Sequence, residues 1–515
     1  PPALTSESPE DNSTYNSVDT TASVTFSEAL ATSSVTTNTS DTTCSGSFQL
    51  SSDNFSTCIK MSAAPVVSND NKTFTVTPAS NLSAGTSFKY RITSPIADTS
   101  CNLVTSDNTS IVGFRTAPIG TGNIAGFVQD QDGDDLSGVG VSFKLLAHSS
   151  DTVGTAEGDT TSVDNGSYGV SSLELGIHNL AYTKTGFMDT NQTDTLETDG
   201  ETLDVETVRL LSDSCTSGTM SGTITDAVSG NALSSVWMYY KSGLNRPKPS
   251  GCYWACGWKF LGATEDNGSW SLPSDRWSAY LDITTVAPGQ YTIFAFKYLY
   301  YNDTFNVYSC GDKADQDHSL SSRLDPGEMR IILNWPKFGT GDDLDSHLQI
   351  PYSTPRVSGT DCDGGSDKND KCHLWFRTNQ DSNANYTGVS TADYHNYTDI
   401  VSSGDYVTLD RDDRDAPGTE VMTISKVRSG VYSYSVHNLE DKDAQIGNSG
   451  RSNFKKSRAK VRVFYNDGSK LWRKRFHVPN DNGTLWRVFT FDKDASGPFT
   501  RVKTMTIGVD RLVIY

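Results

Sequence analysis

Apolar and polar residues alternate over short stretches of this chain. Val24–Leu30 (VTFSEAL), Thr73–Leu82 (TFTVTPASNL) and Phe88–Asp98 (FKYRITSPIAD) each keep a period of two. That period predicts strands with one buried face and one wet face. Near the other end, Ser429–Asn438 (SGVYSYSVHN) and Leu485–Asp492 (LWRVFTFD) read as further strands. Ala459–Pro479 reads as strand, Asn-Asp-Gly turn, strand, a hairpin by its turn chemistry. No amphipathic helical period runs beyond about ten residues. The expected fold class is all-β.

The middle of the chain repeats itself. IAGFVQD at Ile124 aligns with MSGTITD at Met220, and LSGVGV at Leu136 with LSSVWM at Leu233. DNGSYGV at Asp164 aligns with DNGSWSL at Asp266, and LGIHNLAYTKTGF at Leu175 with PGQYTIFAFKYLY at Pro288. TVRLL at Thr207 aligns with EMRIIL at Glu328. The order is kept at a spacing of about 100 residues, too long for a solenoid unit and right for a tandem domain. Turn signals between the strands predict two β-sandwiches.

The N-terminal segment, closed by FRTAP at Phe114–Pro118, resembles the bacterial Ig-like domains of surface proteins. That family shares VTFSE, then a P-x-x-L-x-x-G-T turn, a D-x-x-G-N turn and F-x-T. Here the second turn reads DTSCN, so Cys101 stands where the family has glycine. A side chain there is strained if the turn needs positive φ. The two repeats resemble carboxypeptidase-regulatory-like, transthyretin-like sandwiches, a resemblance that implies structural modules without catalytic residues. The segment with GDDLDSHL (Gly341–Leu348) and VTLDRDDRDAPGTEVMTI (Val407–Ile424) is similar to an uncharacterised β-sandwich of bacterial surface proteins. The expectation is four tandem sandwiches in a rod, at 1–118, 119–212, 213–330 and 331–515.

Composition fits that division. A length of 515 residues suits three to five domains, and only 35% of residues are hydrophobic, which favours several thin cores over one large one. No apolar run approaches the ~20 residues of a membrane-spanning helix. No cationic, apolar leader opens the chain, so a secreted protein would be in its mature form. The pI of about 4.7 argues against a general nucleic-acid binder.

Nine cysteines lack paired zinc-site spacing. They fit short disulfide loops of an oxidising compartment: Cys44–Cys58, Cys252–Cys256 and Cys362–Cys372, with Cys215–Cys310 clasping the third domain and Cys101 left over. Thirteen N-x-S/T sequences fit an extracellular, glycosylated chain. They begin at Asn12, Asn38, Asn54, Asn71, Asn81, Asn108, Asn165, Asn191, Asn267, Asn302, Asn385, Asn396 and Asn482.

Neither a nucleophile elbow, a phosphate loop nor H-E-x-x-H is present, and no enzymatic activity is expected. The aspartates are the best polar candidates. Asp343 and Asp345 are two apart and would share a strand face. Asp410 and Asp412 cluster with Asp413 and Asp415 beside Glu420. Hard oxygen ligands this dense suit Ca2+, so Asp343, Asp345, Asp410, Asp412 and Glu420 are the expected metal ligands. The bland alternative is a solvated turn with Arg411 and Arg414 as counter-charges. DQDGDD at Asp130–Asp135 lacks the glutamate of an EF-hand and is expected to be a plain turn. Trp254 and Trp258, in the aromatic insertion of the third domain, could stack on glycans or pack as buried area.

Charge is uneven. Residues 1–200 hold 7 Lys+Arg against 23 Asp+Glu, whereas residues 451–515 hold 15 against 5, within a total of -20. This basic pole on an acidic chain could meet an acidic partner or be solvated strand faces. The leading functional expectation is a bacterial surface fibre subunit, extracellular, polymerising head to tail on itself. In it the basic end docks on the next copy's acidic end, and Thr504–Tyr515 pairs at home or in the neighbour. The alternative is a monomeric cell-surface adhesin that binds glycans. A hydrolase comes third.

Overall fold

The structure, a computed structural model, describes residues 2–11, 13–104, 107–110, 113–146, 155–247, 257–273, 285–335, 343–351, 371–374, 390–393, 406–413, 418–438, 454, 457–479, 481, 483–495 and 497–506. Among these residues the chain is all-β, with one short 3-10 turn at Thr32–Ser34. No described helix is long and apolar enough to cross a membrane. The chain divides into two compact units. One holds Pro1–Gly126, Leu136–Leu203 and Lys241–Lys259; the other holds Phe127–Asp135, Asp204–Tyr240 and Phe260–Tyr515.

The first unit opens with a sandwich. One sheet runs Leu4–Ser8, Ala22–Phe26, Thr73–Val76, Val66–Ser68, and the other is built on Phe48–Ser51 and Ser87–Ile92. Ala22–Phe26 and Ser87–Ile92 alternate buried with less buried positions, as their sequence period requires. Val24, Phe26, Phe48, Phe74, Phe88 and Phe114 make the core. A cysteine at the family's glycine position predicted a changed DTSCN turn, but Cys101 takes the positive φ itself, +64°. Asp98 Oδ1 accepts from the Ser100 and Asn102 amides, and the Asn102 amide side chain donates to Oδ2. These bonds offset the strain at Cys101, whose thiol is free and exposed.

The same unit carries a four-stranded sheet of the second sandwich, ordered Thr155–Thr161, Gly140–Leu146, Gly176–Thr183, Thr190–Leu196. Its edge strand Thr190–Leu196 is met by Leu244 and Arg246. Leu244 N–H donates to Asn191 O, Thr193 N–H donates to Leu244 O, and the Arg246 guanidinium donates to Asn179, Asn191 and Thr193 side chains. Covering an edge in this way removes a row of open backbone groups.

The internal repeat is a repeat of topology. The sheet just described matches Lys259–Ala263, Trp237–Ser242, Gly289–Phe296, Asp303–Ser309 of the third sandwich, strand for strand. The opposing sheets match as well, each closed by a parallel pair: Val208 with Val128, and Ile224–Asp226 with His318–Leu320. This corrects the alignment of the last strand. The counterpart of Val208–Arg209 is His318–Leu320, whereas Met329–Trp335 opens the fourth sandwich, so the 330/331 boundary cuts that strand.

The fourth sandwich lies in the second unit. A six-stranded sheet runs Ser390–Asp393, Tyr406–Arg411, Gly418–Ile424, Met329–Trp335, Lys460–Asn466, Leu471–His477. It faces a five-stranded sheet of Lys371–Leu374, Leu344–Pro351, Tyr432–Asn438, Leu485–Phe491 and Phe499–Thr506. Ile331, Leu333, Trp335, Met422, Tyr434, Val461, Val463 and Phe489 fill the space between. The hairpin expected at Asn466–Gly468 forms, with Asn466 opposite Leu471. Asp467 Oδ1 accepts from the Ser469 and Lys470 amides across the turn.

Alternate residues of the six-stranded sheet point the other way and are also buried. Ile332, Val421 and Phe464 form a second apolar cluster with Ala227 and Leu324, and Phe464 stacks on Tyr301 at 5.3 Å. Beside it Asp303 accepts from Arg462 and Arg475. Arg462 also donates to Ser319 O, Ser319 Oγ and Asn334 Oδ1. Glu206 pairs with Lys460. The third and fourth sandwiches and the tail of the second therefore share an apolar and ionic joint inside this unit.

Candidate metal centre

Three of the five expected ligands come together. Asp345, Asp412 and Glu420 each offer a carboxylate oxygen within 4.8 Å of the others. Asp345 is the second residue of Leu344–Pro351, in the five-stranded sheet, and Glu420 lies in Gly418–Ile424, in the six-stranded sheet. Asp412 follows Tyr406–Arg411. Glu420 is 1% exposed and Asp345 2%. Glu420 Oε2 accepts the Ser346 amide, while Oε1 has no hydrogen-bond donor. Burial, and then the Asp345 and Asp412 charges, push the Glu420 carboxyl well above its usual range.

A β-bulge separates the neighbouring aspartates. Leu409 pairs with Met422 and Arg411 with Val421, so Asp410 is the extra residue. Asp410 accordingly accepts from Thr408 and Thr423 and does not join the three. Asp413 pairs with Arg411 at 2.7 Å and accepts the Thr419 amide. The expected counter-charge of Arg411 thus serves Asp413; Arg414 lies outside the described residues. Asp343 precedes the strand and is also outside the set of three.

The other candidates fall as follows. Cys44–Cys58 and Cys215–Cys310 are bonded. Cys252, Cys256 and Cys362 lie outside the described residues, and the Cys372 backbone pairs with Ile350. Asp130–Asp135 is a turn in which Asp130 Oδ1 accepts the Asp132 and Asp134 amides. Trp254 lies outside the described residues, but Trp258 is 2% exposed, so it is packed area and not a glycan platform. Among the sequons, Asn38 is 1% exposed and its side-chain amide donates to Asp41 O and Ile59 O, which removes it as an attachment site. Asn191 accepts from Arg246, and Asn302 is half-buried. Asn54, Asn71, Asn81, Asn108, Asn165 and Asn267 are exposed; Asn12, Asn385, Asn396 and Asn482 lie outside the described residues.

Four cations of the basic pole turn inward. Lys460, Arg462, Arg475 and Arg501 contact Glu206, Asp303 and Asp204 of the same chain, so these charges are not free to dock on another copy. Thr504, Met505 and Thr506 pair with Leu485–Arg487 in their own sheet; 507–515 lie outside the described residues. Sequence reasoning missed the joint because Lys and Arg on a strand read as wet faces. The available signal was Phe464 alternating with Lys460 and Arg462, an aromatic on the nominally wet face.

Known proteins bear on one part of the chain. Residues 1–116 match the family model of the bacterial Ig-like domain. No curated protein matches the chain. Solved structures that overlap it include a Streptococcal ancillary pilin, 13% identical over 51% of this chain and 81% of that one, with TM-score 0.15. The Bacillus anthracis TIE protein overlaps at 11% identity over 83% and 72%, with TM-score 0.16. Shaft pilin SpaA from Lactobacillus rhamnosus GG overlaps at 11% identity over 40% and 99%, with TM-score 0.14. TM-scores of this size carry no argument about this chain.

Proposed function

We propose that the chain is a structural subunit of an extracellular bacterial surface assembly, one that associates with further copies of itself. The observation that carries this reading is the joint in the second unit. Asp303 and Glu206 are buried acids neutralised by Arg462, Arg475 and Lys460, and an apolar cluster with Tyr301 stacked on Phe464 adjoins them. Breaking one partner of a buried charge network is strongly destabilising, so this network resists separation of the sandwiches it joins, which suits a protein whose task is to hold them in a set order. The bacterial Ig-like match at 1–116 and two disulfides fit the same setting.

For self-association, the available element is an edge. Among the described residues, Phe499–Thr506 ends its sheet, paired with Leu485–Phe491, and an edge strand can take a strand from a second copy. Sedimentation velocity across a concentration series tests this. Mass should grow with concentration, and replacing Val502 and Thr504 by proline should abolish the growth. A constant monomer mass would favour the adhesin. That alternative has one supporting feature: Trp237, 42% exposed, packs beside Phe260 and so presents an aromatic face that could stack on sugar rings.

A further inference from the structure

We infer that Asp345, Asp412 and Glu420 hold one divalent cation, calcium by preference, which ties the two sheets of the fourth sandwich together. The three carboxylates come from one strand in each sheet and from the segment after a third strand, with their oxygens within 4.8 Å. Two of the three are almost wholly buried. Three carboxylates this close, largely withdrawn from water, cannot all stay charged unless a proton or a cation compensates them.

A second observation is the Glu420 side chain itself. Its Oε2 is satisfied by Ser346, but Oε1 is buried and meets no donor. Asp412, another acceptor, lies close to the Glu420 carboxyl, and two carboxylates meet in this way only across a proton or a cation. The neighbouring acids sharpen the point. Asp413 takes Arg411, and Asp410 takes two threonine hydroxyls. Arg411 is therefore available beside this turn and is directed to Asp413.

The donors are all carboxylate oxygen, which selects a hard cation over zinc or copper. Three carboxylates supply up to six oxygens when bidentate, matching the six to eight that calcium accepts, and carboxylates from three separate segments suit its flexible shell better than the tight octahedron of magnesium. The site is contained in the fourth sandwich and needs no second copy.

The test uses the full chain, stripped with a chelator, with thermal unfolding and titration calorimetry in CaCl2, MgCl2 and ZnCl2. Calcium at about 10 mM, well above the ~0.1–1 mM dissociation constants of extracellular calcium modules, should raise the midpoint by a few degrees. Magnesium should do less, EGTA should reverse the shift, and calorimetry should count one ion per chain. Glu420→Gln keeps the shape and removes the charge; it should fold and lose the calcium shift. If it fails to fold, Asp412→Asn, at a less buried position, carries the test and should weaken calcium at least tenfold. No shift with calcium, a shift with zinc alone, or an unchanged shift in both variants overturns the inference. Because the readout is binding and unfolding, it is independent of self-association.

Discussion

Replacing Asp303 by alanine tests the joint where its chemistry is most concentrated. The carboxylate is buried and accepts from two guanidiniums. Burial alone would push its pKa up, but Arg475 and Arg462 override that and hold it well below the carboxylate range. Their positions divide the cost of losing it. Arg475 is 42% exposed and can turn to water, whereas Arg462 is 7% exposed and cannot. Arg462 would keep its bonds to Ser319 and Asn334 but lose its counter-charge. Stranding one partner of a buried pair costs about 3–5 kcal/mol. The surviving hydrogen bonds place this case at the low end, about 3 kcal/mol, or roughly 100-fold in the opening equilibrium. Hydrogen exchange at strands Asp303–Ser309 and Lys460–Asn466 reads that local opening directly. The double variant Asp303→Ala with Arg462→Met removes both charges and should return to within about 1 kcal/mol of the parent, since apolar replacement of a buried pair is often neutral. Exchange unchanged in the single variant, or a double variant as unstable as the single, would refute the reasoning.

Acid should loosen the same joint. Burial, then the Arg462 charge, hold His318 at about 4 against an ordinary 6.5. The unfolded chain binds the extra proton first, so stability present above pH 6.5 falls as pH drops toward 4, by up to about 3 kcal/mol. Glu206, raised by burial but held at about 2 by Lys460, extends the loss between pH 4.5 and 2; a urea midpoint flat across pH 7 to 3 would contradict both. Replacing Cys44 and Cys58 by serine opens a loop of separation 14 and should cost the first sandwich about 2–4 kcal/mol, read by denaturation of the full chain. Trp258→Ala should lower thermal stability by about 3–5 kcal/mol without altering retention on glycan arrays, because the side chain is buried.

The sandwiches were legible because alternation reports one buried face per strand. Ala22–Phe26 and Ser87–Ile92 behave as their spacing says. The Asn466–Gly468 turn was legible for a similarly local reason. What alternation cannot report is a strand buried on both faces. Met329–Trp335 looked like the end of a repeat, but its second face, Arg330, Ile332 and Asn334, is covered as well, by contacts that the alternation does not show. The carboxylate site was half legible. Composition put Asp345, Asp412 and Glu420 in one domain. A single bulge at Asp410 decided which aspartate faced Glu420, and bulges leave no mark in a period-two pattern. Lys460 and Arg475 misled for the opposite reason: charge on a strand is usually solvated, and here it meets Glu206 and Asp303.

Self-association is what makes this protein a building unit. Negative-stain electron microscopy of the purified full chain at high concentration tests it most directly. Filaments whose axial repeat equals one chain are expected, shortening to single particles when the Phe499–Thr506 edge carries prolines. Separate single particles from the unaltered chain at every concentration would contradict it.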